Sequence, residues 1–319
     1  MSTPERKQRV LVTDPIVFQE MAEPIKRQLN SLFNTTFLFQ REDRETYLDT
    51  YGHEFTAFFS RSGLTVPLLE KLPNLQIITQ TGAGLDGIPF DYIRGRNIKI
   101  TNARGVLSDD VADIAIGLML STARELCWGE RHVRSGAWAS QRPSLSRRAN
   151  RKTYGILGMG SIGSAIAKRL EGFGGMILYH NRNPVEGSPY TYVDDLKQLA
   201  KQSDFLFIAT PGGAATTNLV NEEILRALGP EGIVVNVGRG ATIDETALIR
   251  TLGDGSLGGA GLDVHLKEPH VNPELLKFKS VVLLPHLGSS TVETRMAMHQ
   301  VCIDNMLAHF AGKPLLTPV

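Results

Sequence analysis

The stretch Thr153–Arg182, TYGILGMGSIGSAIAKRLEGFGGMILYHNR, constrains the fold more than any other part of the chain. Tyr154, Ile156 and Leu157 form an apolar run that reads as a short buried strand. Gly158-Met159-Gly160-Ser161-Ile162-Gly163 follows at once, and Ile162, Ala165, Ile166 and Leu170 then recur at helical spacing. A second apolar run, Met176–His180, completes a strand–turn–helix–strand unit. That unit has about the length expected for half of a dinucleotide-binding fold. Gly158 is expected to permit the tight turn, Gly160 to let backbone approach a pyrophosphate, and Gly163 to let the helix pack close to the strand. The N–H groups that open the helix then face the phosphates. A glycine turn alone is common, so the flanking strands and helix give the motif its weight.

The rest of the chain alternates in the same way. Strands are expected at Arg9–Thr13, Thr35–Phe39, Phe55–Phe59, Gln76–Thr79 and Ile98–Ile100, with a turn at Asp14-Pro15 and a helix over Pro67–Lys71. After the glycine turn come a helix at Asp194–Lys201, a strand at Asp204–Thr210 and a helix near Asn221–Leu228. A strand at Gly232–Val237 and a helix at Glu245–Leu252, capped by Asp244, precede strands at Gly259–Val264 and Val281–Leu284. The expected class is α/β, with two doubly wound parallel sheets. Between the halves, Ser108–Leu126 reads as one long helix, capped by Ser108 or Asp109 and apolar enough to be buried between domains or subunits. The polar stretch that follows contains Trp138, whose ring is expected to bury in a subunit contact or over an active site. Its basic run, Arg147-Arg148…Arg151-Lys152, reads as a solvated loop.

Composition narrows the function classes. At 319 residues the chain is long enough for two cores, and a net charge of +1 gives no basic excess for nucleic acid or an anionic membrane. No signal segment or bilayer-spanning run is apparent, so a cytoplasmic setting is expected. The two cysteines, Cys127 and Cys302, read as buried thiols rather than a disulfide framework. The other histidines, His53, His132, His265, His270, His299 and His309, show no paired ligand spacing, and no metal is expected.

Three polar residues stand just beyond expected strand ends in the second half: Arg239, Glu268 and His286. Strand C-termini of a doubly wound sheet converge on one edge, where ligands bind. A guanidinium fork suits a carboxylate, an imidazole can exchange a proton with a carbonyl oxygen, and a carboxylate behind the imidazole orients it. Reduction of a 2-oxo acid needs those three types. Thr81–Asp86, TGAGLD, lies at another strand end and reads equally as a plain turn or a ligand loop.

The order GMGSIG, NVGRG, GLDV with EP, and PHLGSST closely resembles the D-isomer-specific 2-hydroxyacid dehydrogenases. TGAGLD and Val111-Ala112-Asp113 strengthen the resemblance, which covers nearly the whole chain. It implies a Rossmann cofactor domain (105–287) inserted into a flavodoxin-like substrate domain (1–104 and 288–319). It implies that Arg239 binds substrate, Glu268 is the acid partner and His286 is the general acid/base. The substrate set is then Ala83 and Gly84, through their N–H groups, with Arg239, Ser289, and Trp138 reaching from a partner subunit as in the glyoxylate reductase branch. A homodimer acting on a small 2-oxo or 2-hydroxy acid follows. The implied cofactor set is Gly158, Met159, Gly160, Ser161, Ile162, Gly163, Asn181, Arg182, Thr210, Pro211, Thr216, Val237, Gly238, Asp263, His286 and Gly288.

The end of the second strand of the motif reads His180-Asn181-Arg182, without the carboxylate that usually accepts the ribose hydroxyls of NAD. Arg182 can pair with a 2′-phosphate and Asn181 can donate to it. NADP(H) is therefore the preferred cofactor expected, with NAD(H) as the alternative if Arg182 is only a solvated loop residue. His180 reads as a packing residue or one lying edge-on to the ribose. The leading reading is reduction of glyoxylate or hydroxypyruvate. Bulkier 2-oxo acids and a non-enzymatic dinucleotide-sensing protein resembling corepressors on this scaffold are the alternatives.

Overall fold

The computed structural model describes residues 7–14, 22–61 and 64–319. Pro15 of the expected Asp14-Pro15 turn lies outside them. The chain divides into two compact units, 1–107 with 291–319, and 108–290.

The first unit holds strands β1 (Arg9–Val12), β2 (Asn34–Phe37), β3 (Ala57–Ser60), β4 (Ile77–Gln80) and β5 (Lys99–Thr101), with helices α1 (Ala22–Leu32), α2 (Arg44–Tyr51), α3 (Val66–Glu70) and α4 (Phe90–Gly95) between them. The sheet runs β2-β1-β3-β4-β5, and every pairing is parallel. Alternation explains its two cores. Leu11, Phe58 and Ile78 point to one face, where they meet Leu48, Leu69 and Ile93 of α2, α3 and α4. Val10, Val12, Ala57, Phe59 and Ile77 point to the other. The expected second strand stops early, because Leu38–Gln40 turns into a short 3₁₀ segment.

The second unit holds β6 (Lys152–Leu157), β7 (Gly175–His180), β8 (Thr191–Tyr192), β9 (Phe205–Ile208), β10 (Ile233–Asn236), β11 (Gly259–Leu262) and β12 (Val281–Leu283). Its helices are α5 (Ser108–Ala123), α6 (Leu126–Arg134), α7 (Ser161–Leu170), α8 (Leu196–Gln202), α9 (Glu222–Leu228) and α10 (Glu245–Gly253). The order β12-β11-β10-β9-β6-β7-β8 is again all parallel, and it reverses direction between β6 and β9. Leu157, Leu206, Val234 and Leu262 form one core with the apolar faces of α8, α9 and α10. Asp244 caps α10 as expected, accepting from the Ala247 N–H at 3.1 Å. The two-residue β8 escapes sequence reading because it carries no periodicity of its own.

Helix α5 differs from its expected form in three ways. It ends at Ala123, because Glu125 takes a left-handed conformation (φ 53°) before α6 restarts at Leu126. Its burial is accounted for within the second unit: a Cβ on Gly261 would lie 3.0 Å from the Leu118 Cβ. Ser108 does not cap it. The Ser108 hydroxyl is buried inside the first turn with no partner among the described residues, and Asp109 and Asp113 pair with Arg169 of α7, at 3.0 and 2.5 Å.

Helix α11 (Val292–Phe310) returns to the first unit, where Cys302, Ile303 and Met306 complete the core behind Val10 and Phe59. Cys302 is fully buried, donates to the Gln80 carbonyl at 3.3 Å, and has its thiol pushed up by that burial. Cys127, expected to be buried, is only half-buried on the short amphipathic α6. No helix among the described residues is long and apolar enough to cross a membrane.

Candidate active site

The glycine turn stands where the strand order reverses, the usual ligand crevice of an open α/β sheet. Gly158 has φ +99°, and a Cβ on Gly163 would overlap the Gly158 carbonyl oxygen. Any side chain at 163 would push α7 off β6. Gly160 has open space around it, and no side chain caps α7. An uncapped helix start, with its N–H groups turned to open space and glycine walls, fits the pyrophosphate of a dinucleotide.

Beyond β7, Asn181 accepts from the Met159 N–H at 2.7 Å, which ties Met159 of the turn to the chain beside Arg182. With its oxygen so engaged, the Asn181 amide nitrogen remains a donor. The Tyr192 hydroxyl donates to the Asn181 carbonyl at 3.2 Å, and Arg182 is exposed. No acidic side chain stands at 180–182. The His180 ring bonds the Val193 carbonyl at 2.9 Å and stacks over Tyr192, as a packing residue does.

Two further loops close on the turn. After β9, the Thr216 hydroxyl donates to the Pro211 carbonyl at 2.9 Å, while the Thr210 hydroxyl is buried with no partner among the described residues. After β10, Val237 and Gly238 are buried, and a Cβ on Gly238 would lie 2.7 Å from the Thr210 carbonyl oxygen. Asn236 holds this loop at both ends. Its oxygen accepts from the Gly238 N–H at 3.0 Å and its amide donates to the Arg239 carbonyl at 2.9 Å. Arg239 is half-buried, and its Nη1 donates to the Gly238 carbonyl at 2.8 Å.

His286 and Glu268, eighteen residues apart, are joined by a 2.7 Å bond from His286 Nδ1 to Glu268 Oε2. A carboxylate only accepts, so Nδ1 carries the proton and Nε2 is the opposite, outward nitrogen. His286 holds a left-handed conformation (φ 56°), which Asp263 braces from below. Asp263 is 1% exposed; its carbonyl accepts from His286 N–H at 2.9 Å and its carboxylate from Leu287 and Gly288 N–H at 2.7 and 2.8 Å. Ser289 is buried next in the chain.

Partial burial raises the Glu268 pKa, but the His286 hydrogen bond and the His265 N–H outweigh it, so the carboxyl lies below its usual value. A depressed carboxylate stabilises the fold above its unfolded pKa of about 4.3, and that contribution is lost as pH falls through the folded value. The melting temperature of E268Q is therefore expected to lie below the parent's at neutral pH and to converge on it in acid. A gap independent of pH would refute this account of the pair.

The remaining substrate candidates are Ala83 and Gly84 of the first unit and Trp138 of the second. Ala83 and Gly84 are half-buried on the loop after β4, where Asn102 donates to the Ala83 carbonyl at 2.9 Å and Ala103 N–H to the Gly82 carbonyl at 3.1 Å. The loop is thus anchored at two carbonyls. Trp138 stands on a short 3₁₀ turn of the second unit and is 61% exposed within this chain, so its ring is not buried by its own subunit.

Sequence reasoning missed the supports. Asn236 was legible only as part of a motif, and Asp263 reads as a cofactor contact although its carboxylate braces the histidine loop. His265, passed over for lack of metal spacing, lies against the Glu268 loop.

Residues 116–288 match the model of the D-isomer-specific 2-hydroxyacid dehydrogenase NAD-binding domain. Glyoxylate/hydroxypyruvate reductase A HPR2 of Arabidopsis thaliana is 41% identical over 301 residues, covering 94% of this chain and 96% of that protein. Hydroxyphenylpyruvate reductase of Plectranthus scutellarioides is 44% identical over 260 residues, 82% of this chain and 83% of that protein. The NADPH-dependent glyoxylate/hydroxypyruvate reductase of Sinorhizobium meliloti, solved with NADP and malonate, superposes with a TM-score of 0.90 at 39% identity, covering 98% of this chain and 97% of that one. With the two parallel sheets, the glycine turn and the His286–Glu268 pair in place, the chain belongs to the D-isomer-specific 2-hydroxyacid dehydrogenases and is an oxidoreductase that binds a nicotinamide dinucleotide.

Proposed function

We propose that the protein is an NADPH-preferring reductase of small 2-oxo acids, glyoxylate and hydroxypyruvate among them, that yields D-2-hydroxy acids. The observation that carries the reading is the 2.7 Å His286–Glu268 pair on the sheet edge that also bears the uncapped glycine turn. A bound nicotinamide supplies hydride to the substrate carbon, or takes it back in the reverse direction. Gly158–Gly163 would hold the pyrophosphate, and Thr210, Pro211, Val237 and Gly238 would border the rest of the dinucleotide. Asn181 and Arg182 would take the 2′-phosphate.

The chain's own residues then have distinct tasks. Arg239 presents a planar guanidinium to the substrate carboxylate and polarises the adjacent carbonyl. Protonated His286 gives its Nε2 proton to the carbonyl oxygen, and neutral His286 recovers it when a hydroxy acid is oxidised. Glu268 holds Nδ1–H, which orients the ring so that Nε2 can face the substrate oxygen.

Initial rates with NADPH and NADH, each with glyoxylate, hydroxypyruvate, phenylpyruvate and 2-oxoisocaproate, test the proposal. NADPH with the small acids is expected to be fastest, and R182D should reduce kcat/KM for NADPH by roughly tenfold or more while sparing NADH. Equal loss with both cofactors would remove Arg182 as the determinant. The 44% identity to a hydroxyphenylpyruvate reductase favours a second reading, in which the preferred acids are aromatic. Faster turnover of phenylpyruvate would select it. Absence of turnover despite dinucleotide binding would favour a sensor.

We also propose a homodimer. Exposed Leu126, Val133 and Trp138 on α6 and the turn after it support this. Sedimentation at micromolar concentration should give about twice the chain mass of 35.0 kDa. A monomer that turns over at full rate would overturn it.

A further inference from the structure

His265 lies on the loop that carries Glu268 and touches the loops that carry the other two proposed catalytic side chains, Arg239 and His286. Its N–H donates to Glu268 Oε1 at 3.1 Å, on the oxygen opposite the one that holds His286. Its ring reaches across to the Leu284 carbonyl, with Nε2···O 2.9 Å, two residues before His286. Its carbonyl occupies the place a Cβ on Gly240 would need, which fixes the loop that bears Arg239. A carbonyl only accepts, so Nε2 carries the ring proton. Nδ1 is buried and has no partner among the described residues. The ring therefore makes one hydrogen bond, and that bond ties the Glu268 loop to the His286 loop.

From these contacts we infer that His265 is a positioning residue for the Glu268–His286 pair, acting through its Nε2–H bond to Leu284. The inference rests on the proposed roles of Glu268 and His286. Its physical basis is the narrow tolerance of proton transfer. A loop shift of an ångström, far smaller than any unfolding, can cost about 10²-fold in rate while leaving the substrate's binding groups in place. A buried apolar ring in place of His265 would fill the same space but release the Leu284 carbonyl. The Asp263 bonds would still hold the chain from His286 to Gly288, but on the Glu268 side the pair would keep only the Glu268–His286 bond itself, which the reaction loads and unloads with charge.

H265F, H265L and H265Q separate positioning from packing. Phe keeps an aromatic ring, Leu a smaller apolar group, and neither can donate. The Gln amide nitrogen can reach the place of Nε2 and does donate. H265F and H265L are expected to lower kcat by about 10- to 100-fold with KM changed less than about threefold. H265Q is expected to stay within about fivefold of the parent. In the ligand-free protein, the downfield proton resonance of the His286 Nδ1–H···Glu268 bond should weaken or vanish by solvent exchange in H265F and persist in H265Q. That signal needs no substrate, so it tests the clamp even if the parent reduces no 2-oxo acid and the functional proposal itself fails. Parental kcat or an unchanged resonance in a folded non-donor variant would overturn the inference. So would equal losses in H265F and H265Q, or loss of cooperative melting in both H265F and H265L, since each makes the ring a matter of packing or stability alone.

Discussion

H286A is expected to reduce kcat by about 10²- to 10⁴-fold while the dissociation constant for NADPH changes less than about fivefold. The barrier rises because the substrate oxygen must take its proton from water instead of from a held Nε2–H. The bond to Glu268 orients the ring, so H286A also leaves the Glu268 carboxylate without its main partner. E268Q should fall less far, because the ring remains but loses its anionic support. Stopped-flow reduction of a 2-oxo acid alongside fluorescence titration of NADPH separates the two quantities. A variant that binds NADPH normally and turns over at the parental rate would remove His286 from the chemistry and bring the sensor reading forward. Loss of NADPH binding together with turnover would instead show that the ring mainly supports the cofactor.

D263N is expected to damage stability and rate together. Asp263 is 1% exposed, and its carboxylate accepts two backbone N–H groups at 2.7 and 2.8 Å. An amide of the same shape offers one acceptor and turns an NH₂ group toward the other N–H. Hydrogen bonds to a charged group contribute about 1.5–3 kcal/mol each, and an orphaned buried donor costs about as much again. A loss of about 2–4 kcal/mol corresponds to roughly 5–15 °C in melting temperature for a unit of this size. The activity loss has a separate cause. Asp263 supports His286, Leu287 and Gly288 through consecutive backbone bonds, and the left-handed backbone of His286 (φ 56°) has no glycine to ease it. Released from that support, the loop can relax and carry the imidazole out of line, so kcat should drop by about 10²-fold. Differential scanning calorimetry and steady-state kinetics on the same preparation read both effects. A variant with parental melting and rate would show that these two hydrogen bonds do not brace the loop.

The supports found in the structure explain why one part of the site is legible in a linear chain and another is not. The glycine turn can be read directly because its constraint is local. A left-handed Gly158 and a helix packed against it at Gly163 need glycine at fixed spacing whatever the rest of the chain does. The parallel sheets are legible for a related reason, since strands buried on both faces appear as continuous apolar runs such as Phe205–Ile208 and Ile233–Asn236. Arg239, Glu268 and His286 are visible as polar residues after such runs, and their order with the glycine motif carries the family resemblance.

Other features depend on partners distant in the chain. The break at Glu125, which ends the expected helix early, is marked by no glycine or proline in the sequence. Ser108 has the right chemistry for a cap but stands one position inside the helix, and its neighbours Asp109 and Asp113 meet Arg169 across more than fifty residues of chain. Asp263 and His265 look alike in the sequence as polar neighbours after an apolar strand. Only the folded loops show that Asp263 supports the histidine turn and that His265 ties its approach to the Glu268 loop. Backbone periodicity, glycine geometry and residue chemistry are properties of short segments, so the sequence by itself determined the two α/β sheets, the dinucleotide turn and the types of the reacting groups. Which oxygen meets which nitrogen depends on loops that approach one another only when the sheet is assembled, and that alone was decided by the tertiary structure.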